Sequence, residues 1–432
     1  MGILAESGGE VIRSRSMLTR IILMRSAALL LVILLVACAS HPVDVHQRAL
    51  EIARDAVIVD THIDVPIRVE MSGEDVTQAT AEGNFDYPRA LAGGLDVAFM
   101  SIFIPASVDE AGGGRALADK LIDQVEGMVK RAPNEFAPAT CVADVRRNVA
   151  AGLISLPMGM ENGGPMASGD DAPEHFFERG IRYVTLAHAK SNAFSDSSYD
   201  HDERWQGLSP QGQALVVRLN DLGIMVDVSH ISERAFWQVL SVSTFPVIAS
   251  HSSARFFTPG FERNMSDDMI KALAAHGGVM QVNFGSSFVT AAARSWAEAF
   301  DEAAKRFQTE QNVSPMSEES KAFAKGYRTE HPFPYADVSD VVDHIDHIVK
   351  LAGIEHVGIG SDFDGVGDTL PAALKDVSMY PNLIAGLLER GYTARQIRLI
   401  LGENLLRVWG QVESSAMKRG GHVRCASAGL PG

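Results

Sequence analysis

The residues best equipped for chemistry in this chain fall at the ends of short apolar runs. Val57-Ile58-Val59-Asp60 leads into Thr61-His62-Ile63-Asp64, residues 153–160 lead into Glu161, and residues 181–187 lead into His188. Residues 224–229 end at His230, 247–250 at His251, and 357–361 at Asp362. Imidazoles and carboxylates bind divalent cations, and water held by two such ions is a nucleophile near neutral pH. A His-x-Asp pair, two further histidines, a central glutamate and a late aspartate compose the ligand set of a two-metal hydrolase, provided that the fold brings them together.

Each signal alone is modest. His62 and Asp64 alternate on one strand and so point to one face, where they can hold a single ion together. The same pair is also common in turns. Glu161 precedes Asn162-Gly163-Gly164 and can bridge two ions with its two oxygens, or equally cap a helix or join a salt bridge. A lone histidine is usually a neutral, hydrogen-bonded core residue, but His230 and His251 end consecutive strand candidates. Asp362, within Gly360-Ser361-Asp362-Phe363-Asp364-Gly365, can pass a proton from water to a leaving amine, whereas Asp364 suits an Asx turn. His344 and His347 lie on a helix between strands and read as exposed or structural.

The elements that must position these groups are legible from the same runs. Strand candidates at 56–61, 95–104, 153–160, 181–187, 224–229, 246–250, 278–284 and 356–361 alternate with amphipathic stretches. Helix starts are marked by Pro210 behind Ser209, by Ser266 before Asp267 and Asp268, and by Thr393 with Gln396 as a capping box. Strands alternating with helices imply a parallel sheet, and eight of them a (β/α)8 barrel whose strand ends share one active rim. Residues 285–337 are too long for a βα loop and form an insertion, either a wall or lid of the site or a surface excursion. The barrel is expected over 47–412, and residues 413–432, lacking apolar periodicity, as a disordered tail.

Residues 1–37 read as a signal peptide. Arg20 and Arg25 precede the apolar stretch 27–36, which ends in Leu35-Val36-Ala37-Cys38. That ending resembles a bacterial lipoprotein signal, with Cys38 lipidated and 38–46 a tether to the membrane. Ala39 and Ser40 follow with no aspartate, which by resemblance to Gram-negative sorting predicts the periplasmic face of the outer membrane. Met17 and Met24 are alternative starts. Loss of residues 1–37 removes four arginines and two glutamates and takes the formal charge from −16 to about −18. Such acidity excludes nucleic acid as a partner. Cys141 and Cys425 could pair in an oxidising compartment; the sequence does not say whether they meet.

Taken together, these motifs resemble the membrane (renal) dipeptidase family, zinc peptidases on a (β/α)8 barrel. The likeness rests on Asp60-Thr61-His62-Ile63-Asp64, Gly159-Met160-Glu161, Tyr183 to His188, Asp227-Val228-Ser229-His230, Ser250-His251-Ser252-Ser253-Ala254, Arg263-Asn264 with Asp267-Asp268, the Asp362 loop and the closing Asn404 to Val408. It runs from about residue 47 to 412. It implies two zinc ions per chain, one held by His62 and Asp64, the other by His230 and His251, with Glu161 bridging and a hydroxide between them as nucleophile. His188 would stabilise the oxyanion, Arg263 bind the substrate carboxylate, and Asp362 bind the free amine and transfer protons. The implied substrates are dipeptides, with a D-residue tolerated at the C-terminal position; family members are often dimers. Two departures stand out: Asn162-Gly163-Gly164-Pro165 where Gly-Gly-His is expected after the glutamate, and Gly285-Ser286-Ser287-Phe288 where an aromatic hydroxyl is expected. The rival readings are an N-acyl amino acid deacylase on the same barrel and a non-catalytic binding lipoprotein.

Overall fold

The computed structural model describes residues 44–200, 202–421 and 423–426. The signal peptide, Cys38 and the tether up to residue 43 lie outside them. The chain divides into an N-terminal unit, residues 1–48, of which 44–48 are described, and a body from Ala49 onward; the helix Val45–Asp55 begins in the first. No described helix is long and apolar enough to cross a membrane.

Ten strands form one parallel sheet: β1 (Ile58–Ile63), β2 (Leu95–Phe103), β3 (Phe136–Pro138), β4 (Ile154–Leu156), β5 (Met158–Glu161), β6 (Ile181–Thr185), β7 (Met225–Asp227), β8 (Ile248–Ser252), β9 (Val279–Val282) and β10 (Val357–Ile359). Eight of them, β1, β2 and β5 to β10, close a (β/α)8 barrel, because β1 pairs with both β2 and β10. The run 153–160 is two strands, not one. Pro157 divides it, β4 pairing with β2 and with the outlying β3 while β5 continues the barrel wall.

Inside the barrel, Val59, Val97, Phe99, Tyr183, Met225, Ile248 and Val279 pack against one another and against Leu405, Trp409 and Val412. The last three belong to the helix Asn404–Lys418. This helix overturns the expectation of disorder from residue 413. Its apolar face continues through Val412 to Ala416, both buried, at the four-residue spacing that keeps side chains on one face. Beyond it, Cys425 is disulfide-bonded to Cys141, and the Arg424 carbonyl accepts from Thr140 Oγ1 at 2.8 Å and Arg182 Nη2 at 3.2 Å. The described residues 423–426 are therefore tied to the barrel, a covalent link standing where the apolar pattern is missing; residues 422 and 427–432 lie outside the described ones.

The bond spans 284 residues of sequence, so opening it frees much chain entropy. Cys141→Ser is expected to lower stability by roughly 2–4 kcal/mol. It should leave kcat within twofold, because the bond lies beside Arg182 at the start of β6 while His188 follows its end. Urea denaturation and steady-state rates check both halves.

A half-buried acid adds a pH dependence. Asp96 accepts from Ile58 N at 2.8 Å, and burial raises its carboxyl from 3.8 to about 7. The folded chain thus keeps this proton after the unfolded chain has released it. The contribution to stability is full below the ordinary value and is lost as pH rises through the folded one. Asp96→Asn retains an acceptor and is expected to gain roughly 1–3 kcal/mol over wild type at pH 8, and little at pH 4, in paired urea titrations.

Candidate metal centre

The closed sheet brings the ends of six strands to one rim. His62 lies near the end of β1 and Asp64 follows it, and this end is stitched to the Asp362 loop by Asp362 N on His62 O at 3.1 Å and Asp64 N on Phe363 O at 2.9 Å. Glu161 ends β5, His188 follows β6, His230 follows β7, and His251 lies in β8. Three of these turns need left-handed backbone at a non-glycine residue: His230 (φ 68°), Asp362 (φ 64°) and Asn162 (φ 75°). Such conformations are uncommon, and their clustering on the rim is a mark of a functional site. Asparagine tolerates this region well, so Asn162 fits where a glycine is expected. Its side chain further ties the loop, donating to Ile104 O at 3.0 Å and accepting from Gly164 N at 3.1 Å.

Glu161 stands at the centre. Its Oε1 lies 3.0 Å from His230 Nε2, 3.3 Å from His251 Nε2 and 3.5 Å from His188 Nε2, while Oε2 lies 3.5 Å from His62 Nε2. His62 Nε2 is also 3.5 Å from Asp64 Oδ2, and the Nε2 atoms of His230 and His251 approach to 2.8 Å. Burial opposes charge on Glu161, but His188, His62 and the close approach of His230 and His251 outweigh it and hold the carboxyl well below its ordinary range. Burial, reinforced by Arg263 and the neighbouring imidazoles, holds His230 and His251 well below theirs. They are neutral rings with lone pairs to offer.

This donor set fits divalent metal. Nitrogen and carboxylate oxygen converge in three overlapping groups: His62, Glu161 and His251; Glu161, His188 and His230; His62, Asp64 and Asp362. His62 Nε2 and Asp64 Oδ1 are buried with no hydrogen-bond partner, a costly state that a cation relieves.

The remaining predicted residues surround the cluster. Asp362 accepts from Asn283 Nδ2 at 2.7 Å, and burial, countered by His62 and reinforced by Asp64 and Glu161, raises its carboxyl to about 7. Arg263 is 3% exposed. It donates to Ser252 Oγ at 3.1 Å and His251 O at 2.7 Å, leaves Nε unpartnered, and forms no ion pair among the described residues. Asp364 lines the cavity beside the cluster but is engaged elsewhere, accepting from Asn84 N at 2.6 Å and pairing with Arg68 at 3.2 Å. His344 is buried and structural, bonded to Ala254 N and Val289 O.

A cavity of about 620 Å³ opens over the cluster, lined by Asp64, Glu161, His188, His230 and Asp362 on its floor and by Phe103, Tyr199 and Phe288 among its walls. Ser287 and Phe288 are the part of the 285–337 insertion in this wall; beyond them the helices Ala291–Gln311 and Glu318–Glu330 pair through stacked aromatics such as Phe307 on Phe323. Phe288 lies 5.5 Å from the Arg263 guanidinium and has no hydroxyl. The aromatic hydroxyl lining the cavity is that of Tyr199, which sequence reasoning missed, because the loop carrying it has no apolar run to mark it.

A closed parallel barrel bearing a buried histidine and carboxylate cluster under an open rim cavity defines a metal-dependent hydrolase of the (β/α)8 class. The comparisons give the family. Residues 46–420 match the model of the membrane dipeptidase family, peptidase family M19, and the chain belongs to it. It is a metallopeptidase of dipeptidase type. An uncharacterized dipeptidase of Schizosaccharomyces pombe is 33% identical over 397 residues, covering 86% of this chain and 84% of that protein. The probable dipeptidase PvdM from Pseudomonas aeruginosa superposes with a TM-score of 0.75 at 30% identity, covering 87% of this chain and all (100%) of that one. A metallopeptidase from Rhodobacter sphaeroides, liganded with a phosphinate mimic of the dipeptide L-Ala-D-Ala, has a TM-score of 0.68 at 24% identity, with 83% and 99% covered.

Proposed function

We propose that the chain hydrolyses free dipeptides, including those with a C-terminal D-residue, at a centre holding two zinc ions. His62 and Asp64 would hold one ion, His230 and His251 the other, and Glu161 both. Two such ions lower the pKa of shared water towards neutrality and polarise a carbonyl. The observation that carries the substrate reading is Arg263, a buried guanidinium that has no anionic partner among the described residues. A buried unpaired charge is costly, and a substrate carboxylate matches it in planar, two-pronged geometry.

Asp362, in the cavity lining, binds the substrate amine and holds at its carboxylate the proton that the leaving nitrogen takes up; a value of about 7 suits that exchange. His188, facing Glu161 across the floor, donates to the carbonyl oxygen as charge develops there. A carboxylate anchor and an amine anchor on either side of one bond set the substrate at two residues.

The phosphinate mimic bound by the Rhodobacter protein makes L-Ala-D-Ala the first substrate to assay, beside L-Ala-L-Ala and N-acetyl-L-Ala-D-Ala. Zinc-dependent cleavage of the free dipeptides alone is expected; cleavage of the blocked one would replace this reading by a deacylase. Asp362→Asn, which suits the same left-handed backbone, is expected to lower kcat by roughly 10²–10⁴-fold. A kcat within threefold of wild type, at unchanged metal content, would remove Asp362 from proton transfer.

We further propose an envelope location, with a lipid on Cys38 anchoring the barrel at the periplasmic face of the outer membrane. The Cys141–Cys425 disulfide supports an oxidising compartment. Mass spectrometry of the membrane-extracted protein tests the lipid.

A further inference from the structure

A histidine nitrogen binds metal only in the tautomer that leaves its lone pair bare. For His251 the choice is made behind the ring. Asp227, at the end of β7, is fully buried. Its Oδ1 accepts from Ser229 N at 3.0 Å and Ser250 N at 2.8 Å, which fixes the residues immediately before His230 and His251 to one carboxylate. Its Oδ2 accepts from Thr185 Oγ1 at 2.5 Å and Ser250 Oγ at 2.6 Å.

The Ser250 hydroxyl has a single proton. A carboxylate only accepts, so that proton belongs to Asp227. Ser250 Oγ is left to accept from His251 Nδ1, 2.8 Å away. His251 therefore carries its proton on Nδ1 and presents a bare Nε2 to Glu161. The other two rings lack this arrangement. His62 Nδ1 meets the Tyr183 hydroxyl at 2.8 Å, a group able to donate or accept, and His230 Nδ1 is buried without a partner.

We propose that Asp227, acting through Ser250, is the positioning residue that makes His251 a metal ligand. The proposal rests on the reading of the cluster as a two-ion centre. Asp227→Asn gives it a sharp form. The amide nitrogen cannot face the two backbone N–H groups on the Oδ1 side, so it takes the Oδ2 side and donates to Ser250. The Ser250 proton then turns to His251 Nδ1 and forces the proton onto Nε2, the wrong tautomer for metal.

The test titrates zinc-loaded and cobalt(II)-loaded full-length holoenzyme with chelators of graded strength. Ions retained per chain are counted and cobalt absorption is followed. Ser250→Ala and Asp227→Asn are each expected to lose one ion at 10–100-fold weaker chelation than wild type and to keep the other. Thr185→Val removes a donor from the same oxygen without touching His251, and is expected to lower Tm while both ions stay bound as in wild type. Two variants that hold both ions like wild type would overturn the proposal, as would a Thr185→Val that sheds an ion alongside them. A wild-type chain that takes up no divalent ion would instead overturn the metal-centre reading beneath it.

Discussion

Glu161→Gln is expected to leave a folded barrel that cannot keep both ions and has lost at least about 10³-fold in kcat/KM, several kcal/mol of transition-state stabilisation. The carboxylate is the one anion within 3.5 Å of four imidazoles. A glutamine has a single acceptor oxygen, so it cannot offer one to each ion, and its neutral head removes the charge that balances them. The fold should survive, because the amide can still donate to His230 or His251, whose rings are neutral. Metal content by mass spectrometry, circular dichroism and steady-state kinetics on one preparation separate the outcomes. Two retained ions with more than a tenth of wild-type activity would show that Glu161 is not the shared ligand.

The second large effect concerns Arg263. Arg263→Lys is expected to raise KM for a free dipeptide by about 100-fold or more, since truncating one side of a buried charge pair commonly costs 2–5 kcal/mol, and to change kcat far less. Lysine keeps the charge but loses the planar fork and the bonds to Ser252 Oγ and His251 O. The informative control is a dipeptide amide, which lacks the carboxylate. Wild type should handle it as poorly as the variant handles the acid, and the variant should lose little more on it. A variant that weakens both substrates equally would place Arg263 in support of β8 and not in substrate binding.

Much of this architecture is legible in the sequence itself. A strand buried on both faces must be a short apolar run, and in a parallel barrel the next polar residue is on the rim; that rule alone located His62, Glu161, His188, His230, His251 and Asp362. Other features obey no such rule. Pro157 split a run that looked continuous, since hydrophobicity does not register a missing N–H. The final helix carried on past Gly410 because Val412 and Ala416 are only two apolar residues among polar ones, enough to extend a buried face but too few to be seen as periodic. Asp227 and Ser250 sit one to three places before the histidines in motifs already noted, yet their work depends on which oxygen faces which proton, and no spacing encodes that. Tyr183 belongs to the same class. Its ring crosses beneath the site only because Gly159 opposite has no side chain, a Cβ there lying 1.9 Å from the ring.

The tie between Cys141 and Cys425 also bears on how many ways the chain can be wrongly joined. The sequence holds three cysteines, and three thiols admit three different pairs. Cys141 must wait, unpaired, while strands β4 to β10 are synthesised, and during that interval the nearest thiol in sequence is Cys38. If Cys38 bears the proposed lipid, its sulfur is a thioether and cannot take part in thiol exchange. A single pairing then remains. On that reading acylation does more than hold the protein to a membrane: it removes the competitor from the oxidation that seals the barrel.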